Sequence, residues 1–246
     1  MPIIYLSPST QEFNPYVGGG NEELYMNEIA DAMLPYLMAT GINYRRNSPD
    51  MTAASSIAAS NASYYDVHLA LHSNASAPSN AGNATGSEVY YSPNSPNGKR
   101  LAEIIANNLK MIYPNPSKVK TVPTTSLGEV TRTRAPSVLI EYAYHDNPAD
   151  ADWIRNNIKE IARNTVISLA DYFGIPFADP TPPRFARVVT MGGRLNLRTL
   201  PQYKAFVLAS VPNGSTVTVY STNGDWSVID YNGILGFANN RYLQFV

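Results

Sequence analysis

Apolar residues recur at helical spacing over residues 22–40, where Met26, Ile29, Ala30, Met33 and Leu37 fall on one face. Asn21 stands where such a helix needs an N-cap, and Gly41 where it needs a C-terminal stop. Short apolar runs over 3–6, 42–45, 67–71, 88–91 and 137–140 read as strands. Helical patterns over 51–62, 97–112 and 150–173 separate them; Leu101, Ile104, Ile105, Leu109 and Ile112 form the inward stripe of the second of these. This alternation predicts an α/β domain: a mainly parallel twisted sheet with helices on both faces.

The pattern changes after Pro176-Phe177-Ala178-Asp179-Pro180-Thr181-Pro182-Pro183, a segment so proline-rich that it favours an extended connector. Beyond it helical periodicity disappears. Asn213-Gly214, Asn223-Gly224 and Asn232-Gly233 read as hairpin turns between short β-rich runs. Val217, Val219, Trp226, Val228 and Ile229 are expected to fill the core of a small all-β barrel. The reading is therefore two domains, 1–175 and 186–246, joined by a linker over 176–185.

Composition narrows the partners. Hydrophobic residues make up 44% and charged residues 15%, enough apolar material for packed cores. Net charge is −1, and Lys and Arg are scattered rather than gathered in a stripe, which argues against nucleic acid. No cysteine is present, so disulfides, thiolate metal sites and thiol nucleophiles are excluded together. No apolar run approaches the ~18–20 residues of a membrane span, and residues 1–6 lack the features of a signal peptide. The expectation is a monomer made in the cytoplasm. Tyrosine is abundant (17 residues), giving flat faces that suit carbohydrate-like partners.

Candidate chemistry lies at strand ends. The run Asp66-Val67-His68-Leu69-Ala70-Leu71-His72-Ser73-Asn74-Ala75 delivers His72 at the carboxyl end of a strand, the edge where open α/β sheets bind ligands. Glu141 follows the apolar run Val138-Leu139-Ile140 and reaches the same edge if the strands are parallel. An ion pair with Arg132 or Arg134 is the plainer role for it, proton transfer or metal binding the sharper one. Glu22, followed by Glu23, opens the first helix, where a carboxylate is favourable for the helix dipole alone. Taken together, three such groups converging on one edge form the kind of set that a hydrolytic zinc site uses. His68 shares a strand face with His72 but sits roughly 13 Å along it, a separation that points to a buried hydrogen-bonding role.

These residues carry a resemblance. Residues 1–175 resemble the zinc-dependent N-acetylmuramoyl-L-alanine amidases of the family-3 type. The matching motifs are Leu71-His72-Ser73-Asn74-Ala75, the helix-opening Glu22, Pro136-Ser137-Val138-Leu139-Ile140-Glu141, and Asn147-Pro148-Ala149-Asp150. Residues 186–246 resemble bacterial SH3 domains, through Leu195-Asn196-Leu197-Arg198, Val211-Pro212-Asn213-Gly214, Trp226 with Val228, Gly236-Phe237 and Tyr242-Leu243. In that module Trp226 and Leu197 are expected in the core, with Tyr203, Tyr220 and Tyr231 as candidate ligand contacts.

The resemblance implies a peptidoglycan hydrolase cutting the amide between N-acetylmuramic acid and L-alanine. It implies one zinc ion on Glu22 and His72, Glu141 as catalytic base, and peptidoglycan as partner of both domains. The hydrolase–anchor layout points to a phage or prophage endolysin. One departure stands out: where the family has Asp-Pro-Gly-His with a zinc-binding His, this chain has Ser7-Pro8-Ser9-Thr10-Gln11. The third zinc ligand is thus left open, with His145 as a candidate substitute ligand or acid–base group and Glu23 as a spare carboxylate. The other reading is a non-catalytic wall-binding protein on a degenerate amidase scaffold.

Overall fold

Every strand anticipated in the first part forms, and each stretch read as helical carries helix. The computed structural model describes residues 1–246. In chain order it runs β1 (Ile3–Pro8), α1 (Glu22–Thr40), β2 (Asn43–Arg46), α2 (Ala53–Asn61), β3 (Val67–Asn74), β4 (Ser87–Tyr91) and α3 (Pro96–Leu109). Then follow β5 (Val119–Pro123), α4 (Gly128–Thr131), β6 (Ser137–Tyr144), α5 (Pro148–Asn156) and α6 (Ile158–Phe173). The stripe read in α1 is real: Met26, Ile29, Ala30, Met33 and Leu37 are fully buried. Asn21 caps the helix, its side-chain oxygen accepting from the Leu24 amide at 2.8 Å. Gly41, at φ +79°, ends it in the left-handed conformation that glycine tolerates.

Two features differ from expectation. The long helix read over 150–173 is two helices, because Asn157 adopts φ −126°, ψ 22° and leaves the helical region. The side-chain amide of Asn157 donates to the Trp153 carbonyl at 2.7 Å, satisfying a group that the break exposes. The short elements β5 and α4 carry no periodicity long enough to be read from sequence.

The sheet order is β2-β1-β3-β6-β4-β5. Strands β1, β3 and β6 are parallel, as are β4 and β5, while β4 runs antiparallel to β6. The mainly parallel architecture holds, with one reversal at the β6–β4 junction. Its consequence is functional. The carboxyl ends of β1, β3 and β6 share one edge, and β4 begins there, so register places His72, Glu141 and Glu88 side by side across three strands.

By contacts the chain forms two units, Ile3–Met33 with Tyr44–Tyr172, and Met1–Pro2 with Leu34–Asn43 and Phe173–Val246. The latter contains β7 (Arg184–Val188), β8 (Arg194–Arg198), β9 (Val207–Pro212), β10 (Thr216–Asn223), β11 (Trp226–Tyr231), β12 (Ile234–Asn239) and β13 (Leu243–Phe245). Their order is β13-β7-β10-β11-β12-β8-β9, with antiparallel pairing throughout. Asn232 and Gly233 both take positive φ and join β11 to β12 in a tight hairpin. Asn213-Gly214 instead lies between β9 and β10, which are not neighbours, so that signal marks a turn but no hairpin. Val217, Val219 and Ile229 enter the core with Leu195, Leu197 and Val211. Trp226 does not belong to that core: it is half-buried and meets Tyr203 edge-on, ring centroids 5.2 Å apart.

Asp150, in the first turn of α5, ties the active-site edge to the sheet. Its carboxylate accepts from the Tyr113 hydroxyl (2.5 Å), the Thr85 hydroxyl (2.9 Å) and the amides of Gly86 (3.1 Å) and Tyr144 (3.0 Å). Replacing it by Ala strands several buried donors, each worth about 1–3 kcal/mol. Asp150→Ala is expected to lower unfolding free energy by at least about 3 kcal/mol in urea titration; a loss under about 1 kcal/mol would contradict this tether.

Candidate active site

Four elements deliver the site. Glu22 occupies the first turn of α1 and is buried. His72 lies near the end of β3, and Glu141 stands beside it in register on β6. The fourth group is Glu129, carried by α4 and buried. The His72 ring bridges two carboxylates, Nδ1 lying 2.8 Å from Glu22 Oε1 and Nε2 2.9 Å from Glu129 Oε2.

Each carboxylate is held in turn. Glu22 accepts from Asn14 Nδ2 at 2.6 Å and lies 3.4 Å from the Ser73 amide. Glu129 Oε1 accepts from the Ser7 hydroxyl at 2.5 Å and lies 3.2 Å from His68 Nε2. His68 is fully buried, as its place on the strand suggested, and its Nδ1 meets the Ser60 hydroxyl at 2.9 Å. The two histidines of β3 thus share one carboxylate.

This arrangement sets protonation. Burial would lower the pKa of His72, but the hydrogen bonds to Glu129 and Glu22 prevail and raise it well above 6.5. Burial would raise the two acids, yet Glu129 is held far below the ordinary carboxylate range by His68 and His72. Glu22 is likewise lowered, by His72 and Asn14. In the metal-free state the cluster is an imidazolium between two carboxylates.

Glu141 is the opposite case. Burial pushes its pKa up to about 8; the negative charges of Glu22, Glu88 and Glu129 add to this, and only His72 opposes it. Its Oε2 is buried without any hydrogen-bond partner. The ion pair with Arg132 or Arg134 does not form; Arg134 donates to the Asn61 carbonyl at 3.2 Å instead. A carboxyl group beside the cluster with an unused oxygen is the kind that transfers protons.

The remaining expected residues have other positions. His145 is buried, its Nδ1 2.9 Å from the Ser73 carbonyl and 3.1 Å from the Ser73 hydroxyl, and its ring stacks on Tyr16 at 5.3 Å. Its backbone carbonyl accepts from the Val17 amide at 3.0 Å, so it fastens the loop before α1 to the end of β3. Gln11, standing near where the family places a histidine, puts its Nε2 3.3 Å from His72 Nδ1. Glu129 was missed by sequence reading. It belongs to a helix of four residues, and only its carboxylate eight residues before the Ser137 strand hinted at it.

The donor set can be compared with what zinc needs. At 2.8 Å the His72 Nδ1–H donates to Glu22 Oε1, and once that proton is gone the same two atoms can face a metal ion. Nε2 is oriented by Glu129, the outer carboxylate that metal-bound histidines commonly have. His72 and Glu22 therefore fit as ligands. No group of three or more His, Cys, Asp or Glu side chains is arranged to complete a site. The nearest further side chain is Gln11, whose amide nitrogen faces His72 and whose carbonyl oxygen accepts from Asn14 at 3.2 Å, a neutral group in place of the family's imidazole.

Fold and site together define an α/β hydrolase unit accompanied by an SH3-like barrel. The sequence profile of the N-acetylmuramoyl-L-alanine amidases matches residues 12–170, and that of the bacterial SH3 domain matches 193–244. The chain belongs to the N-acetylmuramoyl-L-alanine amidase family, whose members cut the amide joining the glycan to the stem peptide of peptidoglycan, and it is a peptidoglycan hydrolase of that class. The family is generally zinc-dependent.

Solved structures agree on the fold. The amidase AmiC2 of Nostoc punctiforme has a TM-score of 0.61 at 17% identity, covering 70% of this chain and 97% of that one. Cwp6 from Clostridium difficile gives 0.61 at 22% identity over 70% of this chain and 29% of that chain. The catalytic domain of the CD27L endolysin targeting Clostridia difficile gives 0.57 at 20%, covering 70% and 97%. No curated protein matches the chain. No helix is long and apolar enough to cross a membrane.

The state of Glu141 has a measurable consequence. Its folded pKa of about 8 lies above the ordinary value of 4.5, so folding takes up a proton between those limits. Stability from this group is fully present below about pH 4.5 and is lost as pH rises through about 8. Glu141→Gln removes that titration. In thermal melts of metal-free protein the variant should match wild type at pH 5 and exceed it at pH 9. Parallel melting temperatures across that range would contradict the raised pKa.

Proposed function

We propose that Glu141 is the catalytic base of amide hydrolysis and that Glu22 and His72 hold the zinc ion. The observation that carries this reading is the convergence of an imidazole, two paired carboxylates and an unpartnered carboxyl oxygen at one sheet edge. A zinc ion bound there would supply Lewis-acid polarisation of water and of the scissile carbonyl.

Glu141 takes a proton from the attacking water as the new C–O bond forms. It returns that proton to the nitrogen of L-alanine as the C–N bond breaks, freeing the lactyl carboxylate on the sugar and an amino terminus on the stem peptide. Glu129 fixes the tilt and tautomer of the His72 ring. His145, assigned from the sequence as an acid–base group, has its Nδ1 committed to Ser73, and this supports a positioning role at the end of β3. The SH3-like domain anchors the enzyme to the wall, and release by a phage or prophage is the setting that fits a hydrolase–anchor pair.

Glu141→Gln keeps the shape of the side chain and removes its basicity. Release of alanine amino termini from purified walls should fall by roughly 10²–10⁴-fold. Walls lysed at the wild-type rate would overturn the assignment. Gln11→His supplies the imidazole that the family has near this place. Chelator competition should then show zinc held at least about tenfold more tightly. Unchanged zinc affinity would mean that Gln11 does not border the ion.

A further inference from the structure

Beside His72 a cleft of about 330 Å³ opens on the flank formed by the end of β1 and the start of α2. That volume is at the lower end for small-molecule sites, about 300–1,000 Å³. Its lining includes Ser9, Thr10 and Asn47, while Phe13 and Met51 supply apolar surface. Phe13 is 72% exposed, an aromatic ring presented to solvent at the edge of a reaction centre. No Lys or Arg lines the cleft; Glu129 and His72, paired with each other, close its inner end. Arg46, next in sequence to Asn47, is paired with Asp31 and Asn27 and is not part of the lining.

The substrate has two unlike halves. The stem peptide carries free carboxylates; the N-acetylhexosamines of the glycan are neutral and have an apolar C–H face and many hydroxyls. A cleft without Lys or Arg, with hydroxyl and amide groups and an exposed aromatic ring, suits the second better than the first, whose carboxylates find no free cation of the chain to pair with. We infer that this cleft seats the glycan strand, with an N-acetylhexosamine ring against Phe13, so that the stem peptide departs across the opposite flank, on the β6 side of His72. The inference rests on the proposed catalytic centre only for the position of the scissile bond. It assigns Phe13 as a residue that selects substrate.

Binding can be read without turnover. The full chain, isotopically labelled, is titrated with chitotetraose and separately with a peptide of stem sequence lacking sugar, and amide shifts are followed by NMR. Chitotetraose should perturb residues 9–13 and 47–53. Phe13→Ala should weaken that response about tenfold. Ala53→Trp, a change at an exposed position of the cleft wall, should abolish it. The inference is overturned if chitotetraose leaves residues 9–13 and 47–53 unmoved, if the peptide alone perturbs them, or if neither variant changes the response. A wrong assignment of Glu141 would leave these outcomes intact and would appear only in the hydrolysis assay.

Discussion

The structure turns on one buried ring. His72 is gripped at both nitrogens by carboxylates, Glu22 from the first helix and Glu129 from the short helix before β6. Taking three ionised groups out of water is costly, and mutual attraction repays it only when geometry is good and the other lone pairs are satisfied. Here they are: Asn14 serves Glu22, Ser7 and His68 serve Glu129, and Ser60 serves His68. The network joins β1, β3, α1, α2 and α4. Breaking it at one partner would strand a buried charge, at a cost of about 3–5 kcal/mol.

Much of this was legible because periodicity and motifs act over many residues. The α1 stripe and the strand runs before His72 and Glu141 are long enough to fix both element and direction, and parallel pairing then forces the two side chains together. Glu129 was invisible for the converse reason. Four helical residues give no period, and its partners His68 and His72 are about sixty positions away in sequence. The break at Asn157 escaped because the apolar spacing continues across it; only the backbone dihedrals of that one residue interrupt the helix. Trp226 was read as core from residue type, yet its indole contributes to a groove wall with Tyr203 and Arg198.

The same geometry at Nδ1 serves a proton or a metal ion. Glu22 and Glu129 raise the affinity of the His72 ring for a second proton, so at the proposed site a zinc ion would have to displace that proton. A second imidazole in the neighbourhood of Gln11 would favour the metal in that competition. Metal uptake at the proposed site would therefore be coupled to pH more steeply than at one whose ligands are not already paired.

Two carboxyl groups on neighbouring strands show how environment assigns roles. Glu88 and Glu141 face each other across β4 and β6. Glu88 is neutralised by Lys120 Nζ at 2.8 Å and accepts from Asn74 Nδ2 at 3.2 Å and from the Tyr90 hydroxyl. Glu141 has no such donor on its buried oxygen and feels the Glu88 charge, together with its own burial, as a pull towards the protonated state. The two neighbouring carboxyl groups thus differ in their partners: donors surround Glu88, while Glu141 keeps a buried oxygen with none. Of the two, Glu141 is the one in register with His72, and it does not line the cleft that Ser9 and Phe13 border, so the proposed proton carrier and the proposed glycan seat lie on different sides of that ring.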